Sequence, residues 1–234
     1  MPDTGLAAEA PKILTGRRTF LGGLAACGAL ALAGPARALP RLGRRQIAFD
    51  IRREGASIGR HEVRFRQSGD DLEVDIEIDI VVNFAFIPVF RYRHRNHEVW
   101  RQGRLVALDS ETDDDGRTHA VSARQRAAGL WVSGSEGQFL APPDVLPTSY
   151  WNPETVKRTR LLDSQHGRML DVRPDLLGEE PLADGPAKRY RLSGDLNLDL
   201  WYADGEWVKI AFQARGAEVS YARRNAPLDG GASG

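Results

Sequence analysis

Leu72-Glu73-Val74-Asp75-Ile76-Glu77-Ile78-Asp79-Ile80-Val81-Val82 decides the fold class. Extended, this segment puts Leu72, Val74, Ile76, Ile78, Ile80 and Val82 on one face, and Glu73, Asp75, Glu77 and Asp79 on the other. A helix would scatter those apolar side chains around its axis, whereas a strand gathers them, because its side chains alternate with a period of two. The segment therefore reads as a long antiparallel strand with one wet face. Its carboxylates describe a solvated surface before they describe acid–base pairs.

The alternation continues on both sides. Ile47, Phe49 and Ile51 precede a turn at Glu54-Gly55-Ala56-Ser57, and Val63 and Phe65 precede another at Ser68-Gly69-Asp70-Asp71. After a break from Asn83 to Pro88, extended segments are expected from Val89 to Arg101, Leu105 to Thr112 and Arg117 to Gln125. Shorter ones follow at Leu130 to Ser133 and Gln138 to Leu140. Pro142, Pro143, Pro147 and Pro153 stiffen a loop around Thr148-Ser149-Tyr150-Trp151-Asn152, with a short helix expected from Glu154. Strands resume near Arg160 to Leu162 and Arg168 to Val172. A Gly- and Pro-rich patch from Gly178 to Pro186 then precedes a closing meander: Arg189 to Leu192, Leu196 to Tyr202, Trp207 to Ala214 and Glu218 to Ala222. No segment shows amphipathic helical spacing over three turns, and no solenoid-length repeat is present. The fold expected is all-β: an antiparallel meander forming a strongly curved sheet, half-barrel or barrel, with little helix.

The N-terminus reads as an export signal. Arg17-Arg18-Thr19-Phe20-Leu21 is followed by a small-residue apolar run from Gly22 to Gly34, and Ala36 and Ala38 supply a small-x-small cleavage site after Ala38. The run is shorter than the roughly 20 residues that a membrane-spanning helix needs. Adjacent arginines of this kind address a chain to the twin-arginine (Tat) translocase, which handles folded cargo. Residues 1–38 are thus expected to be a signal peptide, 39–224 one barrel-like domain, and 225–234 a Gly- and Ser-rich disordered tail. The expected destination is the periplasm, as a soluble protein without a transmembrane segment in the mature chain. Leu24-Ala25-Ala26-Cys27 offers the alternative of a lipoprotein anchored at Cys27, the single cysteine. Past Ala38 the chain has no thiol, so its fold must stand without disulfides. Removing residues 1–38 leaves 28 basic and 30 acidic residues, and no basic stripe that would suit nucleic acid.

The least ordinary strand is Phe90-Arg91-Tyr92-Arg93-His94-Arg95-Asn96-His97-Glu98-Val99-Trp100. If its aromatic ends mark the inward face, Tyr92, His94, Asn96, Glu98 and Trp100 point into the interior, where a polar patch in an apolar cavity lends a binding site its specificity. These five, with Tyr150 and Trp151 from the proline-stiffened loop, are the candidate ligand-binding residues. The competing reading is that His94, Asn96 and Glu98 satisfy one another, and that the loop aromatics plug a barrel end. His94 and His97 must face opposite sides, and His61 and His119 lie on other strands, so a metal site has no sequence support. Glu111-x-Asp113-x-Asp115-Gly116 imitates a calcium loop, but its twelfth position is Ser122, and Asp-Gly between strands is a hairpin signal. There is no nucleophile elbow, phosphate loop or dinucleotide fingerprint, so no catalytic residue and no cofactor are assigned.

The ordered segments GASIGRHEVRF, YRHRNHEVWRQGRLVALDSETDDDGR, PTSYWNPE and GDLNLDLWYADGEWVKIAFQARGAEVSYARR resemble the bacterial exported family catalogued as domain of unknown function 6134. Glu98-Val99-Trp100 and Leu200-Trp201-Tyr202 with Gly205 and Trp207 are the most specific parts. The resemblance implies an exported, β-rich protein of no established activity and supplies no catalytic residues. The functional expectation is a non-enzymatic domain that binds or carries a small apolar ligand or assists an envelope complex. The alternatives are a hydrolase or lyase using His94, Asn96 and Glu98, and a structural or assembly protein marked by an exposed apolar patch.

Overall fold

Strict alternation gives a chain that pairs with its neighbours in sequence, because each turn returns the next strand beside the last. The computed structural model describes residues 45–84, 86–183 and 185–224. These belong to the second of two compact units, Pro35–Gly234. The signal segment with Arg17 and Arg18, Cys27, Ala38 and the tail from Asn225 lie outside the described residues.

The first half of the meander is β1 (Gln46–Arg53), β2 (Ala56–Ser68), β3 (Asp71–Phe84), β4 (Ile87–Arg101), β5 (Arg104–Asp114), β6 (Arg117–Arg126), β7 (Gly129–Gly134) and β8 (Gly137–Ala141). A 3-10 turn at Pro153–Lys157 separates it from β9 (Arg160–Leu162), β10 (Met169–Leu182), β11 (Gly185–Gly194), β12 (Leu198–Ala203), β13 (Glu206–Ala214) and β14 (Ala217–Arg223). All join in one antiparallel sheet in which β1 pairs with both β2 and β14, leaving β8 and β9 as the edges. The meander is thus strongly curved but not closed.

The decisive segment forms β3, whose inward Leu72, Val74 and Ile76 are buried in the main core with Phe49, Val63, Trp100, Leu108 and Trp207. Its outward carboxylates make cross-strand pairs: Glu73 with Arg66, Glu77 with Arg64 at 3.0 Å, Asp79 with Arg95 at 2.9 Å and Asp75 with His97 at 2.7 Å. Such exposed pairs contribute only about 0–1 kcal/mol each, so they fix register more than stability. The Asp115-Gly116 turn has both residues at positive φ, 54° and 87°, as a two-residue hairpin demands. Tyr202 and Trp207 are core residues, while Trp201 packs in a smaller cluster with Ala187 and Val208.

The structure departs from the sequence pattern at the start of the closing meander. The Gly- and Pro-rich patch from Gly178 to Pro186 is not a connection between strands: β10 runs through it to Leu182 and pairs with β11, Pro181 lying opposite Pro186. Beyond Asp171 the other side of β10 has no partner strand among the described residues, because β9 pairs only with Met169 to Asp171. Proline has no N–H to give, and a free edge is where a strand tolerates it.

The gap between the two edges is narrowed by a turn rather than by a strand pair. Ser135 donates its N–H to the His166 carbonyl at 3.1 Å. At this crossing Gly134 meets the His166–Gly167 backbone so closely that a Cβ on Gly134 would lie 2.4 Å from the His166 oxygen. Gly134→Ala should therefore destabilise the fold by about 1–3 kcal/mol through overpacking, read as a lower urea midpoint with unchanged slope.

Candidate functional site

Strand β4 samples the interior from one end to the other, since alternate residues advance by about 7 Å along a strand. Its inward residues run Phe90, Tyr92, His94, Asn96, Glu98, Trp100, and each sits at a different depth.

Trp100 and Glu98 belong to the floor. The Glu98 carboxylate accepts from Trp100 Nε1 at 2.8 Å, Trp151 Nε1 at 3.0 Å and Asn96 Nδ2 at 2.9 Å. Both carboxylate oxygens are thereby engaged, and Glu98 is fully buried. Burial pushes its carboxyl above the usual range, against the opposing effect of hydrogen bonds from Trp151, Trp100, Ser149 and Asn96. Trp151 packs edge-on to Trp100 and to Phe65, so the proline-stiffened loop ends in a plug rather than a lid. The loop is held again where the Tyr202 hydroxyl donates to the Tyr150 carbonyl at 2.6 Å.

Above the floor lies a chamber of about 230 Å³, lined by His61, His94, Asn96, Tyr150, Asp163 and Gln165 among others. Thr112 holds His94 Nδ1 at 2.8 Å. Asp163 anchors the adjoining turn, accepting from the N–H of Gln165 at 2.8 Å and meeting His166 Nδ1 at 2.9 Å. Asn96 gives its amide N–H to Glu98, but among the described residues its Oδ1 has no partner, and neither ring nitrogen of His61 has one.

The third layer is a chamber of about 510 Å³ at the open strand ends, lined chiefly by Ile58, Ile78, Ile80, Val82, Phe90 and Phe212. Both chambers touch Ile78, Tyr92 and Gln165, and the Tyr92 hydroxyl donates to Gln165 Oε1 at 3.1 Å between them. Phe86, Ile87 and Val89 stand exposed at the adjoining β3–β4 tip.

Of the seven expected residues, Tyr92, His94, Asn96 and Tyr150 line the polar chamber, whereas Glu98, Trp100 and Trp151 form the sealed floor. The sequence reading did not place His61 at the site. Strand register does: His61 lies opposite Ile78, Ile78 opposite His94, His94 opposite Thr112, and Thr112 opposite His119. The usable signal was that His61 lies two residues from Val63 on the apolar face of β2. His97 faces outward with Asp75. Among the described residues no group of three or more His, Asp or Glu side chains is placed to hold a metal ion.

Desolvation lowers the His61 pKa to about 3, helped by His94, and lowers that of His94 to about 4 although Asp163 opposes it. Both rings are neutral at neutral pH. An unfolded chain would protonate them below about 6.5 while the folded one does not, so stability falls as pH drops below 6.5 and levels off once the folded values are passed. His61→Phe should remove part of this acid sensitivity, seen as a shallower fall in melting temperature between pH 6.5 and pH 4.

The family described as Domain of unknown function (DUF6134) matches residues 49–224. Neither a curated protein nor a solved structure is significantly similar to the chain.

Proposed function

The chain belongs to the DUF6134 family, a domain of unknown function, and on that premise we propose that it binds a small, largely apolar molecule in the mouth of its curved sheet and carries it without chemical change. The observation that supports this most is the chamber of about 510 Å³ walled by Ile58, Ile78, Ile80, Val82, Phe90 and Phe212. Its volume falls in the range typical of small-molecule sites, and its walls are mostly apolar, with Tyr92 and Gln165 toward the polar chamber and Arg53 and Arg215 also lining it, the usual composition of such sites. The exposed Phe86, Ile87 and Val89 beside it give an apolar molecule a path out of water. Glu98 supports a structural rather than a catalytic role for the inward cluster, because its carboxylate oxygens are occupied by indole and amide donors and it lies outside both chambers.

The site of action in this proposal is the periplasm, reached through the Tat translocase by the Arg17-Arg18 signal and followed by cleavage after Ala38. Among the described residues no helix is long and apolar enough to cross a membrane.

Two outcomes test these readings. A neutral naphthylamine fluorophore should bind the purified chain with enhanced emission. Val82→Trp, which fills the mouth, should weaken that binding by about tenfold or more at an unchanged melting temperature, while Glu77→Gln on the outer face changes nothing. In cells, replacing Arg17 and Arg18 together by lysine should leave the uncleaved chain in the cytoplasm. N-terminal sequencing of the exported wild type should begin at Leu39, whereas a lipid on Cys27 would replace this reading with the anchored one.

A further inference from the structure

The polar chamber contains groups that the fold itself does not use. His61 is 3% exposed, and its ring is boxed by Phe49, Trp207 and Tyr221, with centroids at 6.1, 5.1 and 5.6 Å. Among the described residues neither of its nitrogens meets a partner, and Asn96 Oδ1, also buried on this chamber, lacks one too. Burying a donor and two acceptors unpaired weakens a fold, and a phenylalanine at position 61 would suit the aromatic box better. An unpartnered imidazole beside the chamber, with both ring nitrogens buried, is suited to a ligand hydroxyl that reaches one of them.

We propose that this chamber takes the hydroxyl head of an uncharged amphiphile, such as a long-chain alcohol, with His61 as the residue that recognises it and the apolar mouth holding its chain. The inference rests on the mouth being an apolar-ligand site. Either nitrogen of a neutral imidazole can meet a hydroxyl, the N–H by donating to it or the bare nitrogen by accepting from it, and Asn96 Oδ1 offers a further acceptor. An anionic head is poorly served. Asp163 and Asp195 line the chamber, and the cation there, Arg168, is already paired with Asp163 at 3.3 Å and Glu136 at 3.4 Å. Burial keeps both histidines uncharged at neutral pH, so they supply no positive charge either. The head and tail sites share Ile78, Tyr92 and Gln165 as walls, and the Tyr92–Gln165 hydrogen bond at 3.1 Å stands between them, so a ligand that spans both sites has to part or skirt this pair.

The test is displacement of the bound naphthylamine fluorophore from the purified chain by decanol, decanoate and decane. Decanol should displace it at about tenfold lower concentration than either of the others, the discrimination expected of one or two well-made hydrogen bonds. His61→Phe should keep fluorophore binding, raise or hold the melting temperature and abolish the preference for decanol, while His61→Gln should retain part of it. A histidine of merely structural value would lower stability on replacement and leave the preference intact, and that result overturns the proposal. So does equal displacement by decanol and decane, or a preference for decanoate. Should His61→Phe not fold, nitrogen-15 spectra of the wild-type imidazoles decide: addition of decanol must shift the His61 ring resonances, and unmoved resonances overturn the inference. Failure of the fluorophore to bind at all sinks the mouth reading, whereas binding without head-group preference sinks only this one.

Discussion

The Glu98 carboxylate is the knot of this structure. A meander that curls without closing leaves β8 and β9 unpaired with each other, and the segment that connects them buries Val145, Leu146, Trp151 and Val156. What fixes them there is the buried Glu98 carboxylate near the end of β4, which accepts hydrogen bonds from the indole N–H groups of Trp100 and Trp151 and from the side-chain amide of Asn96. A buried acid is costly when unpartnered and serves a fold only when its oxygens are occupied. Three aligned donors occupy them, and in doing so they tie the floor, the plugging loop and the polar layer into one unit.

From that floor the interior changes character with depth. Aromatic packing around Trp100 and Trp151 gives way to a polar layer around His61, His94 and Asn96, and that to an apolar mouth at the strand ends. The gradient follows from one strand, since successive inward residues of β4 occupy successive levels. Stability here comes from the floor and the β1–β3 and β13–β14 core, which frees the upper levels to depart from an ideal core at His61.

The inward face of β4 was legible in the sequence because period-two alternation needs no partner to be read: Tyr92, His94, Asn96, Glu98 and Trp100 do share a face. The role of His61 was not, because its proximity to His94 depends on which residue of β2 stands opposite Ile78, and register is a property of two strands together. The strand through Gly178 and Pro181 was hidden for a related reason. Proline and glycine argue against a strand unless one of its edges is free, and an edge is visible only when the sheet order is known.

The sequence by itself determined an all-β antiparallel meander, the faces of its long strands and the turns between them, since these depend on side-chain period and local backbone preference. It also held the family signature across residues 49–224. Only the tertiary structure decided that β1 joins β14, that the sheet stays open, and that the Trp151 loop folds inward onto Glu98. The separation of a sealed floor from a polar chamber and an apolar mouth was decided there as well. Each of these depends on contacts between residues far apart in the chain, which curvature and register bring together and local pattern cannot specify.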